Sequence, residues 1–271
     1  MTIPVLLAVY GGDSLDYLKE AVDSILSQTY KDVLLYIGVD GPVEKDTDDY
    51  LKCFETNKRV EIRRFSENNG LAFVLNHLLE KCKDRGYEYY ARMDADDVAL
   101  PDRLERQVAF LEQHPEIDVV GGAIEEIDEN GALRGKTVHY PLTNEACRAF
   151  FRYRDPVAHP SVVFRARFFE KVKSGYREAY RRNQDTMLWF DGIKNGCVFA
   201  NLPDTVLQYR VREVFYKERL GNWTLAVQKL KARMKINREL NYDLSAYLFA
   251  FALLGMTMLP AWVKKILYKR R

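Results

Sequence analysis

The sequence predicts an α/β domain in which a mixed sheet is flanked by helices, and three observations carry that reading. Short apolar runs of strand length alternate with stretches of helical periodicity. The opening run, IPVLLAVY, is nearly continuous, as a strand buried on both faces of a parallel sheet must be. Repeated strand, helix, strand units imply three layers joined by right-handed crossovers.

The first strand covers residues 3–10. Asp13 or Ser14 can cap the helix that follows, in which Leu15, Leu18, Val22, Ile25 and Leu26 share a face. Residues 33–39 form a second strand and 60–65 a third; a helix then places Leu71, Val74, Leu75, Leu78, Leu79 and Cys82 on one side. Residues 89–93 make a fourth strand, and Pro101 is expected in the first turn of the next helix, where its missing N–H costs nothing. Past Val119 the pattern becomes mixed, with short strands at 123–127 and 162–164, a turn at Glu129-Asn130-Gly131 and a helix over 186–193. Ligands of such sheets bind at the carboxyl ends of the strands, which directs attention to Asp40 and Asp94.

With 47% hydrophobic and 30% charged residues among 271, the composition suits one substantial core and excludes disordered and repeat architectures. The start, MTIPVLLAVYGGD, has no basic stretch, sustained apolar run or small-residue cleavage site, so the protein is expected in the cytosol. Cys53, Cys82, Cys147 and Cys197 are too far apart for a CxxC motif and are assigned no chemistry. The net charge of +2 conceals an asymmetry: residues 205–271 hold 14 Lys/Arg and 4 Asp/Glu, the remainder 27 and 35. A basic end of this kind implies an anionic partner.

Arg92-Met93-Asp94-Ala95-Asp96-Asp97 sits where a buried strand ends, so its carboxylates emerge into the ligand crevice. Carboxylates this close together can hold Mg²⁺ or Mn²⁺ beside a diphosphate, because hard cations take oxygen ligands and leave positions open for phosphates. The alternative is an acidic turn capping the next helix. Asp46-Thr47-Asp48 has the same spacing but lies in a charged loop before Tyr50, where helix capping is the expectation. Position after a strand separates the two.

Six segments read together carry a resemblance: VLLAVYGGD at 5–13, VDGP at 39–42, ENNGLAFVLN at 67–76, ARMDADD at 91–97, HPSVVFR at 159–165 and NQDTMLW at 183–189. The chain resembles a family 2 glycosyltransferase of the GT-A fold from residue 3 to about 211, and ARMDADD in particular resembles bacterial enzymes that build O-antigen and capsule polysaccharides. The resemblance implies a nucleotide-sugar donor, UDP-linked in most relatives, with Asp40 accepting a hydrogen bond from the base; alone, Asp-Gly-Pro reads as a turn. It places Tyr10, Asn69 and Gly70 at the nucleotide, the last two because the backbone of 68–70 turns close to it. Asn76 is either a ligand or a packing group. Arg92 lies near the diphosphate or pairs structurally with the aspartates. Asp94 and Asp96 would hold Mn²⁺ or Mg²⁺, which neutralises charge on the departing nucleotide diphosphate. Arg212 stands where the family's Tyr-Arg-x-His segment has histidine, and is expected at the diphosphate, not at a metal.

Inversion, also inherited from the resemblance, needs a single displacement and one general base. Asp185 aligns with the last acidic position of the family's Glu-Asp motif, with Gln184 where Glu is usual; its alternative is a helix cap. Asp191 is the poorer candidate. His159 and Trp189 are expected on the acceptor side, the alternative for His159 being a core histidine. Two rivals remain. A nucleotidyltransferase would carry cations in its Gly-rich loop, which residues 9–13 lack; a scaffold binding a nucleotide-sugar without turnover has only Gln184 in its favour.

The boundaries are residues 1–215 for the catalytic domain and 216–271 for a helical, membrane-associating segment. Leu220, Trp223, Val227, Leu230 and Met234 line one helical face, with Lys229, Lys231, Arg233, Lys235 and Arg238 on the remainder. Such a helix either lies on anionic lipid or packs on the domain with its charges solvated. Residues 244–263 run 20 positions without a charge, long enough to span a bilayer, but Pro260 and the five cations that follow favour the interface. The expectation is a peripheral protein on the cytoplasmic face of the inner or plasma membrane acting on a lipid-linked glycan acceptor; a homodimer would use the same surface. Nucleic acid is not expected, because the tail's cations accompany an apolar run and no base-stacking platform.

Overall fold

The computed structural model describes residues 1–212 and 223–258. Its first half follows the expected alternation: β1 (Ile3–Tyr10), α1 (Leu15–Leu26), β2 (Val33–Asp40), α2 (Lys45–Lys52), β3 (Val60–Phe65), α3 (Leu71–Asp84) and β4 (Tyr89–Met93). Then come β5 (Val98–Ala99), α4 (Arg103–Gln113), β6 (Val119–Ile127), β7 (Leu133–Val138), α5 (Asn144–Phe150), a single 3-10 turn (His159–Ser161), β8 (Val163–Arg165), α6 (Arg167–Val172), α7 (Gln184–Lys194) and β9 (Phe199–Arg210). Two helices follow, α8 (Trp223–Glu239) and α9 (Leu244–Met258).

The strands form one sheet in the order β3-β2-β1-β4-β8-β6-β9-β5, with β7 also on β6. The first four run parallel; β8 is antiparallel to β4 and β6, and β6 is parallel to β9. Strand period sorts the core into two layers. Ile3, Val5, Leu7 and Val9 join Val33, Leu35, Ile37 and Val39 against α1 and α4, while Leu6, Leu34 and Tyr36 face α3. Gly38 lets α3 approach: a Cβ there would stand 2.2 Å from Val74 Cγ1, so Gly38→Ala overpacks this contact at about 1–3 kcal/mol.

Several local expectations are corrected. Pro101 precedes α4, whose N-cap is Asp102. Ser14 caps α1 through backbone alone, and the Asp13 carboxylate instead accepts the N–H of Tyr10. Asp46 and Asp48 lie in the first turn of α2 rather than capping it, favourable to the helix dipole, with Glu44 at the N-cap. The strand expected at 123–127 begins at Val119, and β9 was not anticipated.

The expected apolar face of the C-terminal helix is also revised. Trp223 is 59% exposed, whereas Ala226, Ala232, Arg233, Ile236 and Asn237 are buried among the described residues of α8. Small residues and Arg233 turn inward because α8 packs between α7 and α9. Leu220 and residues 259–271, including Pro260 and the terminal cations, lie outside the described residues. Among the described residues, no helix is long and apolar enough to cross a membrane.

Candidate active site

Three parallel strand ends define the site. Tyr10 of β1 is in register with Asp40 of β2, and Leu7 with Met93 of β4, so all three strands deliver their carboxyl ends to one crevice beside β1. A cavity of about 240 Å³ opens there, lined by Tyr10, Asp13, Asp40, Asn68, Gly70, Asp94 and Asp96 among others.

At one end, Asp40 is a loop anchor. Its two carboxylate oxygens accept the N–H groups of Asn69 (2.8 Å) and Gly70 (2.9 Å). The loop can approach so closely because Gly41 takes φ +80, where a Cβ would meet the Asn68 nitrogen at 2.8 Å. Each carboxylate oxygen keeps a second lone pair, so the anchor remains able to accept a further hydrogen bond. Asn68 rather than Asn69 lines the cavity; the Asn69 amide turns back to the Glu67 carbonyl.

At the other end stands the acidic turn. Asp94, Asp96 and Asp97 offer ligand atoms all within 4.8 Å of one another. Asp97 is fully buried: Oδ1 accepts the Arg210 N–H at 2.9 Å, and Oδ2 has no hydrogen-bond partner among the described residues. Burial, and then the neighbouring Asp94 charge, push Asp96 up to about 6 and Asp97 well above the carboxylate range. Asp13 faces the same cluster and is pushed up to about 7, chiefly by burial. A crowd of carboxylates with an orphaned oxygen and raised proton affinity fits a hard divalent cation, with Asp94, Asp96 and Asp97 as its holders.

The turn is held from β9. β5 pairs with β9 (Val98 opposite Gln208), which brings Arg210 under the acidic residues. The buried Arg210 guanidinium donates to the carbonyls of Asp96 (2.9 Å) and Asp128 (3.2 Å), pairs with Glu20 and lies 4.3 Å from the Tyr17 ring. Arg212 follows, with Nε 3.5 Å from Asp96. Arg92 is 1% exposed, pairs with Asp94 and has no hydrogen-bond partner at Nε among the described residues. Its charge reaches both sides of the site, favouring the ionised forms of Asp96 and Asp185.

Asp185 lies in the first turn of α7, partly buried, with Oδ1 accepting the Thr186 N–H at 2.8 Å. Burial, then the nearby Asp155 carboxylate, raise it to about 6. Gln184 Oε1 is buried with no hydrogen-bond partner among the described residues. Three expectations are corrected here. Asn76 spends its side-chain amide on the backbone of Tyr176 (2.8 and 2.9 Å) and on Glu178, and tethers a loop instead of lining the cavity. Trp189 is 0% exposed, against Phe164 and Phe199, so it belongs to the core and not to an acceptor surface. His159 is buried, shares a 2.8 Å hydrogen bond with the Tyr176 hydroxyl and is kept neutral by burial and then by Arg92; it is the core histidine. Asp191 is engaged by Arg177 through both oxygens.

Asp155 and Arg210 carry no role in the sequence reading, which takes Asp13 only as a helix cap and Asp97 only as part of the acidic run. Asp13 had a signal, since it lies three residues past the end of β1; the others depend on pairings across 113 residues, as for Asp97 and Arg210, or on the packing of α8.

A crevice at the parallel strand ends, with a carboxylate on one side and an acidic turn on the other, on a mixed sheet flanked by helices, is the arrangement of a glycosyltransferase of GT-A architecture. Comparison with known proteins agrees. The chain belongs to Glycosyl transferase family 2, whose sequence model matches residues 5–173. It is 33% identical to the O-antigen biosynthesis glycosyltransferase WbnJ of Escherichia coli, covering 93% of this chain and 96% of that protein. It is 26% identical to an Escherichia coli UDP-Gal:alpha-D-GlcNAc-diphosphoundecaprenol beta-1,3-galactosyltransferase, over 88% of this chain and 84% of that one. Among solved structures, S. aureus TarS 1-349 in complex with UDP-GlcNAc superposes with a TM-score of 0.63 at 16% identity, covering 96% of this chain and 82% of that chain.

Proposed function

We propose that this glycosyltransferase moves a sugar with inversion from a UDP-linked donor to a lipid-linked glycan acceptor in cell-surface polysaccharide synthesis, at the cytoplasmic face of a membrane. The observation that carries the proposal is the 240 Å³ crevice with Asp40 at one end and the acidic turn at the other. Base and ribose would lie against Asp40, Asn68 and Gly70, and the diphosphate against Asp94 and Asp96. A bound Mn²⁺ or Mg²⁺ would supply charge neutralisation to the leaving nucleotide diphosphate. Arg92 and Arg212 add fixed positive charge on either side of the acidic turn.

Asp185 takes the proton of the acceptor hydroxyl as that oxygen attacks the anomeric carbon. A carboxylate raised to about 6 remains largely ionised at pH 7 while holding a proton more readily than an ordinary aspartate, which suits a general base. The relatives named for O-antigen and diphosphoundecaprenol substrates support the lipid-linked acceptor. So does α9, where Leu244, Leu248 and Phe251 form an exposed apolar stripe at helical spacing, 53–72% exposed.

The decisive experiment is calorimetric titration of the full chain with UDP, with and without Mn²⁺, beside Asp96→Ala. Cation-dependent binding that the variant loses is the expected result; no binding of UDP in either condition would overturn the donor assignment. Co-sedimentation with anionic vesicles should be lost in the Leu248→Glu, Phe251→Glu double variant, and unchanged co-sedimentation would remove α9 from membrane attachment.

A further inference from the structure

Asp185 lies in an α7 start that is unusually built. The N-cap Asn183 is in the left-handed region (φ 69) and makes no side-chain cap bond among the described residues. The first turn is instead held from outside: buried Thr186 donates its hydroxyl to Asp155 Oδ2 at 2.8 Å. An acidic group is favourable at a helix N-terminus, yet this one also stands beside the Asp185 carboxylate. Its compensation arrives from the C-terminal helices. Arg233 of α8 is only 8% exposed; Nη2 lies 3.4 Å from Asp155 Oδ1, Nη1 donates to the Phe151 carbonyl at 2.8 Å, and the guanidinium covers the Phe151 ring at 5.2 Å. The segment carrying Asp155 is gripped by the connection between these helices and the start of α9, through Arg152 to Asp243 (3.1 Å), Tyr242 to the Arg148 carbonyl (3.0 Å) and Tyr153 to Ser245 (2.9 Å).

We infer that Arg233, Asp155 and Thr186 are positioning residues for Asp185: a partly buried relay through which the C-terminal helix pair forms part of the catalytic centre instead of a detachable membrane anchor. The inference rests on the reading of Asp185 as the general base. The chemistry is specific. Arg233 balances the Asp155 charge, so that Asp155 can anchor the first turn of α7 without driving a proton onto Asp185. The other groups facing Asp185 are Arg92 from β4, which favours its ionised form, and Tyr176 from the loop before α7.

The test uses the full chain and four variants: Thr186→Val, Arg233→Met, Arg233→Lys and Asp155→Asn. One readout is turnover of UDP-GlcNAc with water as acceptor, separated into kcat and KM. The other is a carboxyl-carbon NMR titration of aspartate-labelled protein, in which the Asp185 resonance is identified by its loss in Asp185→Asn. Thr186→Val keeps the side-chain shape while cutting the tether, so kcat should fall roughly tenfold or more with KM within about twofold. Arg233→Met leaves Asp155 uncompensated and should move the Asp185 midpoint up by about half a unit or more; Asp155→Asn should move it down, and Arg233→Lys should stay near the parent. An ordinary structural ion pair would lower thermal stability without moving the midpoint or splitting kcat from KM. Parental kcat and midpoint in both Thr186→Val and Arg233→Met would overturn the relay. Full turnover in Asp185→Asn would instead remove the base assignment, and the titration would still read the coupling between Arg233 and Asp185. Should Arg233→Met fail to fold, Thr186→Val and Asp155→Asn carry the decision.

Discussion

Two acidic triplets of identical spacing occupy the same α/β half of the molecule, and they have opposite physical characters. Asp94-Ala95-Asp96 ends a buried parallel strand, adjoins the fully buried Asp97 and collects carboxylates whose proton affinity is raised. Asp46-Thr47-Asp48 lies in the first turn of a short surface helix, where Asp48 meets Lys52 at 2.7 Å and Arg64 at 2.6 Å and is held below the usual carboxylate range, first by Lys52. In the first triplet burial and crowding outweigh the charges of Arg92 and Arg212, whereas in the second Asp48 is partly exposed between two cations. Spacing therefore does not set the electrostatic character of such a pair; its place at the end of a buried strand or on a surface helix does.

The contrast can be broken most sharply by substitution. Asp94→Ala combined with Asp96→Ala should lower turnover on the order of 10³-fold or more, because several kcal/mol of leaving-group stabilisation would go with the cation. Asp46→Ala combined with Asp48→Ala should leave turnover within about twofold, and a loss comparable to that of the first pair would mean that spacing alone matters.

A smaller effect should be visible in melting. At Mn²⁺ concentrations about 100 times its dissociation constant, linkage stabilises the protein by roughly 2.7 kcal/mol. For a chain of this size that is an increase of about 5–10 °C, expected in the parent, retained in Asp48→Ala and absent in Asp96→Ala.

The two triplets should also respond to pH with opposite sign. Without cation, Asp96 holds its proton in the folded state up to about 6, whereas the unfolded chain releases it near 3.8. The stability gained from that proton is fully present below about 4 and is lost as pH rises through 6. Melting in chelator should therefore show the parent falling behind Asp96→Asn between those values. Asp48, held low, contributes above the unfolded pKa and loses its contribution as pH falls, though an exposed pair supplies little. The smallest effect follows: Asp48→Asn should leave the midpoint of denaturant unfolding at the parent value.

How much of this was legible in the sequence depended on locality. β1 and β2 announced themselves because strands buried on both faces are apolar almost throughout, β3 by the alternation of an edge strand, and α1 and α3 because one helical stripe meets the sheet. β9 did not, since Pro203 and Asp204 interrupt it where its register against β6 shifts between Gly122 and Ala123, leaving no period to read. The strand-end carboxylates were legible for the same reason as the strands. Orientation was less so: the resemblance aligned Trp189 and Asn76 with a site, while the helix faces on which they sit turn one into the core and the other toward Tyr176. Arg233 read as one more surface cation, because nothing local to α8 reveals Asp155, 78 residues away.

The Arg210 clamp has a consequence for the birth of the molecule. Arg210 donates its N–H to Asp97 across 113 residues, and the β6–β9 pairing that carries it also closes a long chain segment. Loops of that length form late, after local strand–helix units have collapsed. During synthesis the N-terminal domain half can therefore acquire its layers while the acidic turn still lacks its clamp. Until Arg210 has left the ribosome, the acidic turn has no clamp, and until Arg233 follows, Asp155 has no guanidinium beside it. The crevice therefore reaches the geometry described above only in a chain read out past both arginines.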